Sequence, residues 1–247
     1  MPRAIEMMKR REQEILKAIL HLSDRTEGFA NPQLIMIGGY ALRAFTPLSR
    51  FTRDCDFALR KGDGWNIDEL KMLLPAGYSI EIEEKRGAYG FLRCTKSVKH
   101  NRERIRVSMD VMEGEIRGRK PEEAISIDET MMKNRKSLSI PIAGQPTTIT
   151  VPDYLDYFII KVVSSRASDI RDIASLVHGK GIPSGLERRV QQILPHPEVF
   201  ETKIRERIMP EIRRATFLDS WKGIFGTQRY MEEDRKKIIK QLRKLTQ

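Results

Sequence analysis

The chain has 247 residues, enough for one substantial core or two modest ones, and its 40% hydrophobic and 32% charged residues are typical of a folded globular protein. No apolar stretch approaches the ~20 residues that span a bilayer and the start lacks the apolar segment of a signal peptide, so a cytoplasmic protein without a membrane partner is expected. Two cysteines exclude a disulfide framework, whereas the net charge of +11 indicates a polyanionic partner such as RNA or, alternatively, an incidental excess in a surface of ion pairs.

The first 150 residues mix helical and strand patterns. Apolar residues at helical spacing predict an N-terminal helix over residues 3–22. Leu34–Ile37 predicts a short buried strand that ends at Gly38-Gly39, and a helix follows from Tyr40. Further strands are predicted over residues 54–59, 78–84, 90–96 and 105–112, with a helix over residues 66–74 and a hairpin formed by residues 138–142 and 147–151.

After Pro152 the strand patterns give way to helical ones. Helices are predicted over residues 154–165, 169–178, 186–194, 199–214 and 230–245, separated by prolines. The sequence therefore predicts two domains, an α/β (α+β) domain over residues 1–150 and a helical domain over residues 151–247 that closes a cleft.

Asp54-Cys55-Asp56 is the segment with the strongest chemical signal. In a strand, alternate side chains share a face, so Asp54 and Asp56 point the same way and Cys55 points to the other face. Two carboxylates on one face repel each other unless a cation lies between them, and Mg²⁺ suits such a pair because it also takes phosphate oxygens. The alternative is a surface strand whose acids face solvent near arginines.

Two neighbouring features favour the metal interpretation. Asp110 lies in an otherwise apolar strand, where an ionised carboxylate needs a partner; the alternative to a metal is a salt bridge to Arg104 or Arg106. Gly38-Gly39 lies at a strand-to-helix turn, where a phosphate could approach the backbone; the alternative is a tight turn that needs positive φ. Together the three acids and the turn predict a site for two magnesium ions.

These segments resemble a known group of proteins. Ile37-Gly38-Gly39, then Asp54-Cys55-Asp56-Phe57 and a later strand aspartate are similar to the signature of the polymerase β-like nucleotidyltransferase superfamily. Gly38-Gly39-Tyr40-Ala41-Leu42 together with Arg50-x-Thr52-x-Asp54-x-Asp56 is similar, more narrowly, to the AbiEii-type group, which includes toxins of abortive-infection and toxin–antitoxin systems. Members often continue with the features that stand here as Pro152-Asp153-Tyr154-Leu155, Lys161, Arg166, Asp169 and Asp172.

The resemblance implies a nucleotidyltransferase-type mixed sheet and a role for each matching residue. Gly38 and Gly39 would hold the nucleotide triphosphate, Arg50 and Thr52 would belong to the nucleotide site, and Lys161 would reach the triphosphate. Asp54 and Asp56 would bind magnesium, and Asp110 would complete the metal site and act as general base. Arg166, Asp169 and Asp172 would support the cleft wall. The alternative for Asp169 and Asp172 is that they form ion pairs with Arg166 and Arg171. The alternative for Lys161 is that it is a solvated residue on an amphipathic helix.

Some positions depart from the pattern of the group. Gly39 stands where many superfamily members have serine, which removes one hydroxyl contact to phosphate, and Ser168 stands where the group commonly has a basic residue. The interval from Gly39 to Asp54 is also at the long end of the usual spacing. These departures bear more on membership of the toxin group than on membership of the superfamily.

The function that the sequence predicts is a Mg²⁺-dependent enzyme that moves a nucleoside monophosphate from an NTP to an acceptor hydroxyl. The basic composition, with a cation-rich stretch over residues 96–106, makes RNA, in particular a tRNA end, the first acceptor; a cognate antitoxin is a possible partner. The alternatives are a protein or small-molecule acceptor, or an inactive nucleic-acid-binding module.

Overall fold

The computed structural model of the chain describes residues 3–48, 50–62, 66–100, 103–118 and 120–246. Helices form 48% and strands 27% of the described residues, which confirms the predicted mixed α/β class. The chain divides into two compact units, and each includes more than one stretch of sequence. The sheet unit comprises Met1–Ala44, Phe51–Ile116 and Ile127–Pro152, and the helical unit comprises Phe45–Arg50, Arg117–Ser126 and Asp153–Gln247.

The first part of the chain contains most of the strands. Its elements are α1 Arg3–Arg25, β1 Leu34–Ile37, α2 Gly38–Ala41 with a 3-10 turn Leu42–Ala44, β2 Asp54–Leu59, α3 Ile67–Lys71, β3 Ser79–Arg86, β4 Tyr89–His100, β5 Glu103–Glu113, β6 Glu115–Arg117, β7 Ala124–Ser126, α4 Glu129–Asn134, β8 Lys136–Ile142 and β9 Gln145–Val151. The predicted strands are all present. Residues 101 and 102, within the cation-rich stretch, lie outside the described residues.

The five-stranded sheet has the order β1-β2-β5-β4-β3. The pair β2–β5 is parallel, whereas β1–β2, β4–β5 and β3–β4 are antiparallel. This mixed sheet brings β2 beside β5, although about 50 residues of sequence separate them, because β3 and β4 are added on the far side of β5. The acids predicted on these two strands are therefore neighbours.

Two details of the sheet unit differ from the sequence prediction. The helix after β1 begins at Gly38 itself, so both glycines lie within α2 and both are buried. The apolar stripe of α1 is buried only in its C-terminal half, from Ile15 to Leu22, while Ile5 and Met8 are 37% and 39% exposed. Helical spacing gives the face of a helix but not how much of that face is covered.

The helical unit contains the helices predicted after Pro152 and one that was not predicted. They are α5 Tyr154–Ser164, α6 Ala167–Lys180, α7 Leu186–Ile193, α8 Glu198–Lys203, a π-helical segment Ile204–Ile208, α9 Met209–Arg213, α10 Phe217–Phe225 and α11 Glu232–Arg243. The ring of Phe45 stacks on Tyr157 with centroids 4.9 Å apart, which ties the segment Phe45–Arg50 to this unit. In the described part of the chain, no helix is both long and apolar enough to cross a membrane.

Pro210 lies inside the helix that the sequence predicts over residues 199–214 and does not end it. It lies in α9, in a helical run that continues from α8 through the π-helical segment. The N–H of Met209 donates to the carbonyl of Ile204, five residues earlier. This wider turn stands directly before the proline, whose missing N–H would otherwise interrupt an α-helical pattern.

Candidate active site

The paired acids lie on one face of β2. Asp54 and Asp56 are half-buried, whereas the intervening Cys55 is 1% exposed on the other face, as the alternation of a strand requires. The Thr52 hydroxyl donates a 2.7 Å hydrogen bond to the carbonyl of Asp54, so this threonine shapes the backbone where the strand begins. The contact of Thr52 with a nucleotide stays a prediction.

Asp110 joins this pair through strand register. Parallel pairing of β2 and β5 places Asp110 directly beside Asp56, and Asp54 beside Ser108. Adjacent strands lie about 4.8 Å apart and paired residues point to the same face. The structure thus brings the three acids predicted from the sequence to one face of the sheet unit.

Asp110 is also the partner of an arginine that sequence reasoning missed. Arg93 stands opposite Asp110 on β4, with Nε 2.8 Å from Oδ1 and a terminal nitrogen 2.5 Å from Oδ2. These hydrogen bonds raise the pKa of Arg93 and hold the 4%-exposed Asp110 carboxylate in a fixed orientation. The alternative of a salt bridge from Asp110 to a nearby arginine is therefore correct, but the arginine is Arg93 and not one of the two examples, Arg104 and Arg106. Arg106 lies four residues along β5, about 13 Å away, and binds Glu81.

Gly38 has two separate reasons to be glycine. Its φ is +71°, in the left-handed region that a side chain disfavours. A Cβ at this position would also lie 1.9 Å from Oδ2 of Asp56. The predicted need for a positive φ at Gly38 is therefore confirmed. In addition, the turn packs directly against Asp56, a candidate metal ligand.

Tyr40 and Arg11 lie in the electrostatic field of Asp54 and were not recognised from the sequence. Burial, with a further contribution from Glu12, raises the pKa of the Tyr40 phenol, which is 1% exposed. Within the described part of the chain its hydroxyl has no hydrogen-bond partner. Burial and then Arg53 lower the pKa of Arg11, and the Asp54 carboxylate opposes that shift. Tyr40 lies in the motif that begins at Gly38-Gly39, but no role was predicted for it, and Arg11 belongs to no recognised motif.

The carboxylates of β2 and β5 match the predicted magnesium site in part. In the ranges that the structure describes, no group of three or more His, Cys, Asp or Glu side chains is arranged to hold a metal ion. Asp54 and Asp56 nevertheless provide the two carboxylates that Mg²⁺ takes alongside phosphate oxygens and water, while Asp110 is bound by Arg93. The pair fits one magnesium ion; a second ion and a ligand role for Asp110 stay predictions.

In the helical unit, Lys161 lies between two aspartates of α6. Its Nζ is 2.8 Å from Oδ1 of Asp169 and 2.8 Å from Oδ2 of Asp172, and the residue is 1% exposed. Burial alone would lower the pKa of Lys161, but the two carboxylates raise it by more, so the pKa lies above its ordinary value. A solvated lysine is therefore excluded. The predicted contact with triphosphate is untested and would require the ammonium to leave these carboxylates.

Arg50 and Arg166 complete the same network. Arg50 donates from Nε to Oδ1 of Asp172 at 2.7 Å and from Nη2 to Oδ2 at 2.8 Å, and Nε of Arg166 lies 2.8 Å from Oδ2 of Asp169. The alternative of ion pairing is thus confirmed for Arg166, whereas Arg171 instead contacts Glu211 and Ser220. Their predicted roles in nucleotide binding and cleft support stay predictions.

Comparison with known proteins agrees with these motifs. The family described as "Nucleotidyl transferase AbiEii toxin, Type IV TA system" matches residues 22–243, which include both β2 and α6. The chain belongs to the AbiEii nucleotidyltransferase toxin family. It is accordingly a nucleotidyltransferase, an enzyme of the transferase class.

Solved structures agree with the assignment of the fold. JHP933 from Helicobacter pylori is 14% identical, with 96% of this chain and 91% of that chain covered and a TM-score of 0.51, a similarity that concerns the fold alone. A second H. pylori protein, provisionally described as a nucleotidyltransferase, is 14% identical over 95% of this chain and 93% of its own, but its TM-score of 0.47 carries no argument. No curated protein is significantly similar in sequence.

The contact between Gly38 and Asp56 predicts the effect of a single methyl group in this AbiEii protein. Gly38→Ala is expected to lower nucleotidyl transfer about 100-fold, because the Cβ would displace Oδ2 of Asp56 and a displacement of about 1 Å can cost that much. Initial rates of label transfer would measure it. Gly28→Ala is the matched control, since Gly28 has the same φ of +71° with no atom within 4 Å of its Cβ position. Equal losses in both variants would mean that backbone strain alone explains the effect.

Proposed function

We propose that this AbiEii-family enzyme is a Mg²⁺-dependent nucleotidyltransferase that moves a nucleoside monophosphate from an NTP to a hydroxyl of RNA. The observation that carries the proposal is the pair Asp54 and Asp56 on one face of β2, packed against Gly38. Two carboxylates on one strand face repel each other, and a cation between them lowers that repulsion. Family membership supports the NTP as the donor substrate.

Each residue has a part in the proposed reaction. Asp54 and Asp56 would hold magnesium, and magnesium would neutralise triphosphate charge and stabilise the leaving pyrophosphate. Gly38 presents no side chain and keeps Asp56 in its position. Asp110, oriented by Arg93, would accept the proton of the acceptor hydroxyl; its carboxylate oxygens retain lone pairs beyond those used by the arginine. The attacking oxygen forms the new bond to the α-phosphorus as the bond to pyrophosphate breaks.

The charges on β4 and β5 support RNA as the acceptor. Lys99 and Arg104 are both exposed and stand directly opposite each other in the strand register. Like charges in that relation destabilise a sheet, and a polyanion would relieve the repulsion. The rest of the stretch contributes less, since Lys96 and Arg106 already pair with Glu14 and Glu81. A nucleic acid is therefore favoured over a small molecule.

The same proposal includes a biological role. The description of the family names a toxin of a Type IV toxin–antitoxin system. We therefore infer that this enzyme acts as a toxin and that a cognate antitoxin opposes its effect on RNA. Modification of a tRNA end would suit that role, because it stops translation without cleaving the RNA.

Labelling experiments test the acceptor. Purified protein incubated with Mg²⁺, total RNA and each α-labelled NTP in turn is expected to label RNA with one preferred nucleotide, and the Asp54→Ala/Asp56→Ala variant is expected to leave the RNA unlabelled. Label on protein would move the acceptor to a polypeptide and contradict the RNA proposal. Absence of label in any macromolecule would also contradict it and would leave a small-molecule hydroxyl as the acceptor.

A further inference from the structure

A polar cavity in the helical unit has no part in the proposed reaction. Its volume is about 320 Å³, at the small end of ligand pockets. The side chains around it are mainly cations and hydroxyls: Lys120, Ser165, Arg166, Thr202, Lys203 and Arg207. Glu123 and Glu206 also line the cavity, so four cations face two carboxylates.

Ser165, which lines this cavity, has a buried hydroxyl without a hydrogen-bond partner in the described part of the chain. Ser165 is 2% exposed, and its Oγ has no hydrogen bond with any described residue. Its neighbour Ser164, by contrast, donates to Oδ2 of Asp169 at 2.7 Å. Buried polar atoms are almost always hydrogen-bonded, so an unpaired hydroxyl in a cavity wall indicates a missing acceptor.

The charges show what kind of acceptor the cavity fits. Lys203 lies 2.5 Å from Glu123, so this carboxylate is already neutralised and does not repel an anion. Arg207, on the π-helical segment, is exposed and makes no ion pair within the described ranges. A phosphoryl group accepts hydrogen bonds at every oxygen, and guanidinium, ammonium and hydroxyl groups are its usual donors in proteins.

We infer that this cavity binds a phosphoryl group, with Ser165 and Arg207 as donors. The phosphoryl group belongs either to a nucleotide or to the backbone of an RNA chain, and both present the same oxygens. The inference concerns the helical unit alone, and binding without magnesium tests it, so it can fail while the proposed transfer reaction stands.

The test compares three probes with the full-length protein in EDTA: inorganic pyrophosphate, an unlabelled NTP and a short labelled single-stranded RNA. Ser165→Ala is expected to weaken binding of at least one probe about tenfold, the loss of one hydrogen bond to a charged group. Arg207→Gln is expected to weaken the same probe and, for RNA, to reduce the slope of log affinity against log salt by about one. Arg205→Gln is the matched control, since Arg205 lies on the same π-helical segment but does not line the cavity.

The pattern of losses identifies the source of the phosphoryl group. Loss confined to RNA assigns the cavity to backbone phosphates, whereas loss of the NTP and pyrophosphate assigns it to a nucleotide. A purely structural serine gives another result: Ser165→Ala would bind all three probes like the wild type and would be equally stable or more stable, because it removes an unsatisfied hydroxyl. That result, or an equal effect of Arg205→Gln and Arg207→Gln, would overturn the inference.

Discussion

Asp56→Asn is expected to lower nucleotidyl transfer by at least about 10³-fold, with whichever acceptor the wild-type enzyme labels. The substitution preserves the shape of the side chain against Gly38 but removes one of the two charges that would hold magnesium. Loss of several kcal/mol of charge stabilisation corresponds to about that factor in rate. Initial rates at saturating NTP and magnesium would measure it. Asp68→Asn is the control, because Asp68 is an exposed acid of the same unit that binds Lys71 and Lys85.

The same variant is expected to be at least as stable as the wild type in EDTA. Two carboxylates two residues apart on one strand face lie about 7 Å apart and repel each other without a cation, so neutralising one relieves the repulsion. Magnesium is expected to raise the melting temperature of the wild type but not that of Asp56→Asn, because a ligand stabilises only the protein that binds it. Thermal unfolding with and without Mg²⁺ therefore tests metal binding independently of activity.

Three outcomes would separate the parts of this interpretation. Equal magnesium-dependent stabilisation of wild type and Asp56→Asn would mean that the ion binds elsewhere. Full transfer activity in Asp56→Asn, with stability unchanged, would remove Asp56 from the site altogether. A loss of activity together with a large loss of stability would instead indicate that the carboxylate is needed for folding.

The local parts of the fold could be predicted from the sequence. β1 and β2 occur at Leu34–Ile37 and Asp54–Leu59, the residues that the sequence predicted. For β1 the signal is a short apolar run with two isoleucines that ends at a glycine pair. The face shared by Asp54 and Asp56 follows from the alternation of a strand and needs no tertiary information. The motif Asp54-Cys55-Asp56 lies in β2, so the candidate site could be proposed from local sequence.

Pairings between distant segments could not be predicted in the same way. The Arg93–Asp110 contact depends on the register of β4 and β5, in which His100 pairs with Glu103 and Arg93 consequently meets Asp110. The sequence offers several arginines near Asp110, and choosing among them requires the position of the hairpin turn. Helix α10 was missed for another reason: Gly223 weakens its helical signal, and packing of Phe217, Trp221 and Phe225 stabilises it.

Lys161 shows the limit of motif reasoning most clearly. A lysine at that position of the family pattern could reach a phosphate, lie in solvent or be buried, and its neighbours in sequence do not decide between these states. What decides is the approach of Asp169 and Asp172 from the next helix, together with Arg50 from a distant part of the chain. The aspartates recur at helical spacing, but that a lysine would fill the space between them is visible only in the structure.

Lys161→Met is expected to lower the free energy of unfolding by about 3–5 kcal/mol, the usual cost of removing one partner from a buried ion pair. In the wild type, Nζ of Lys161 lies 5.5 Å from the centre of the Tyr157 ring. Methionine keeps most of the apolar part of the lysine side chain, so the loss of stability would come from the missing charge. Urea unfolding at neutral pH would measure it. Lys237→Met is the control, because Lys237 is an exposed lysine within α11.

The comparison distinguishes two roles for the same ammonium group. If Lys161 serves chiefly to neutralise Asp169 and Asp172, the variant unfolds in less urea and binds NTP normally under conditions where it remains folded. If the ammonium serves the triphosphate, the variant keeps its stability and loses NTP affinity and transfer. The two hydrogen bonds of 2.8 Å and the 1% exposure favour the first result, because an ammonium released to a nucleotide would take a positive charge away from two buried carboxylates.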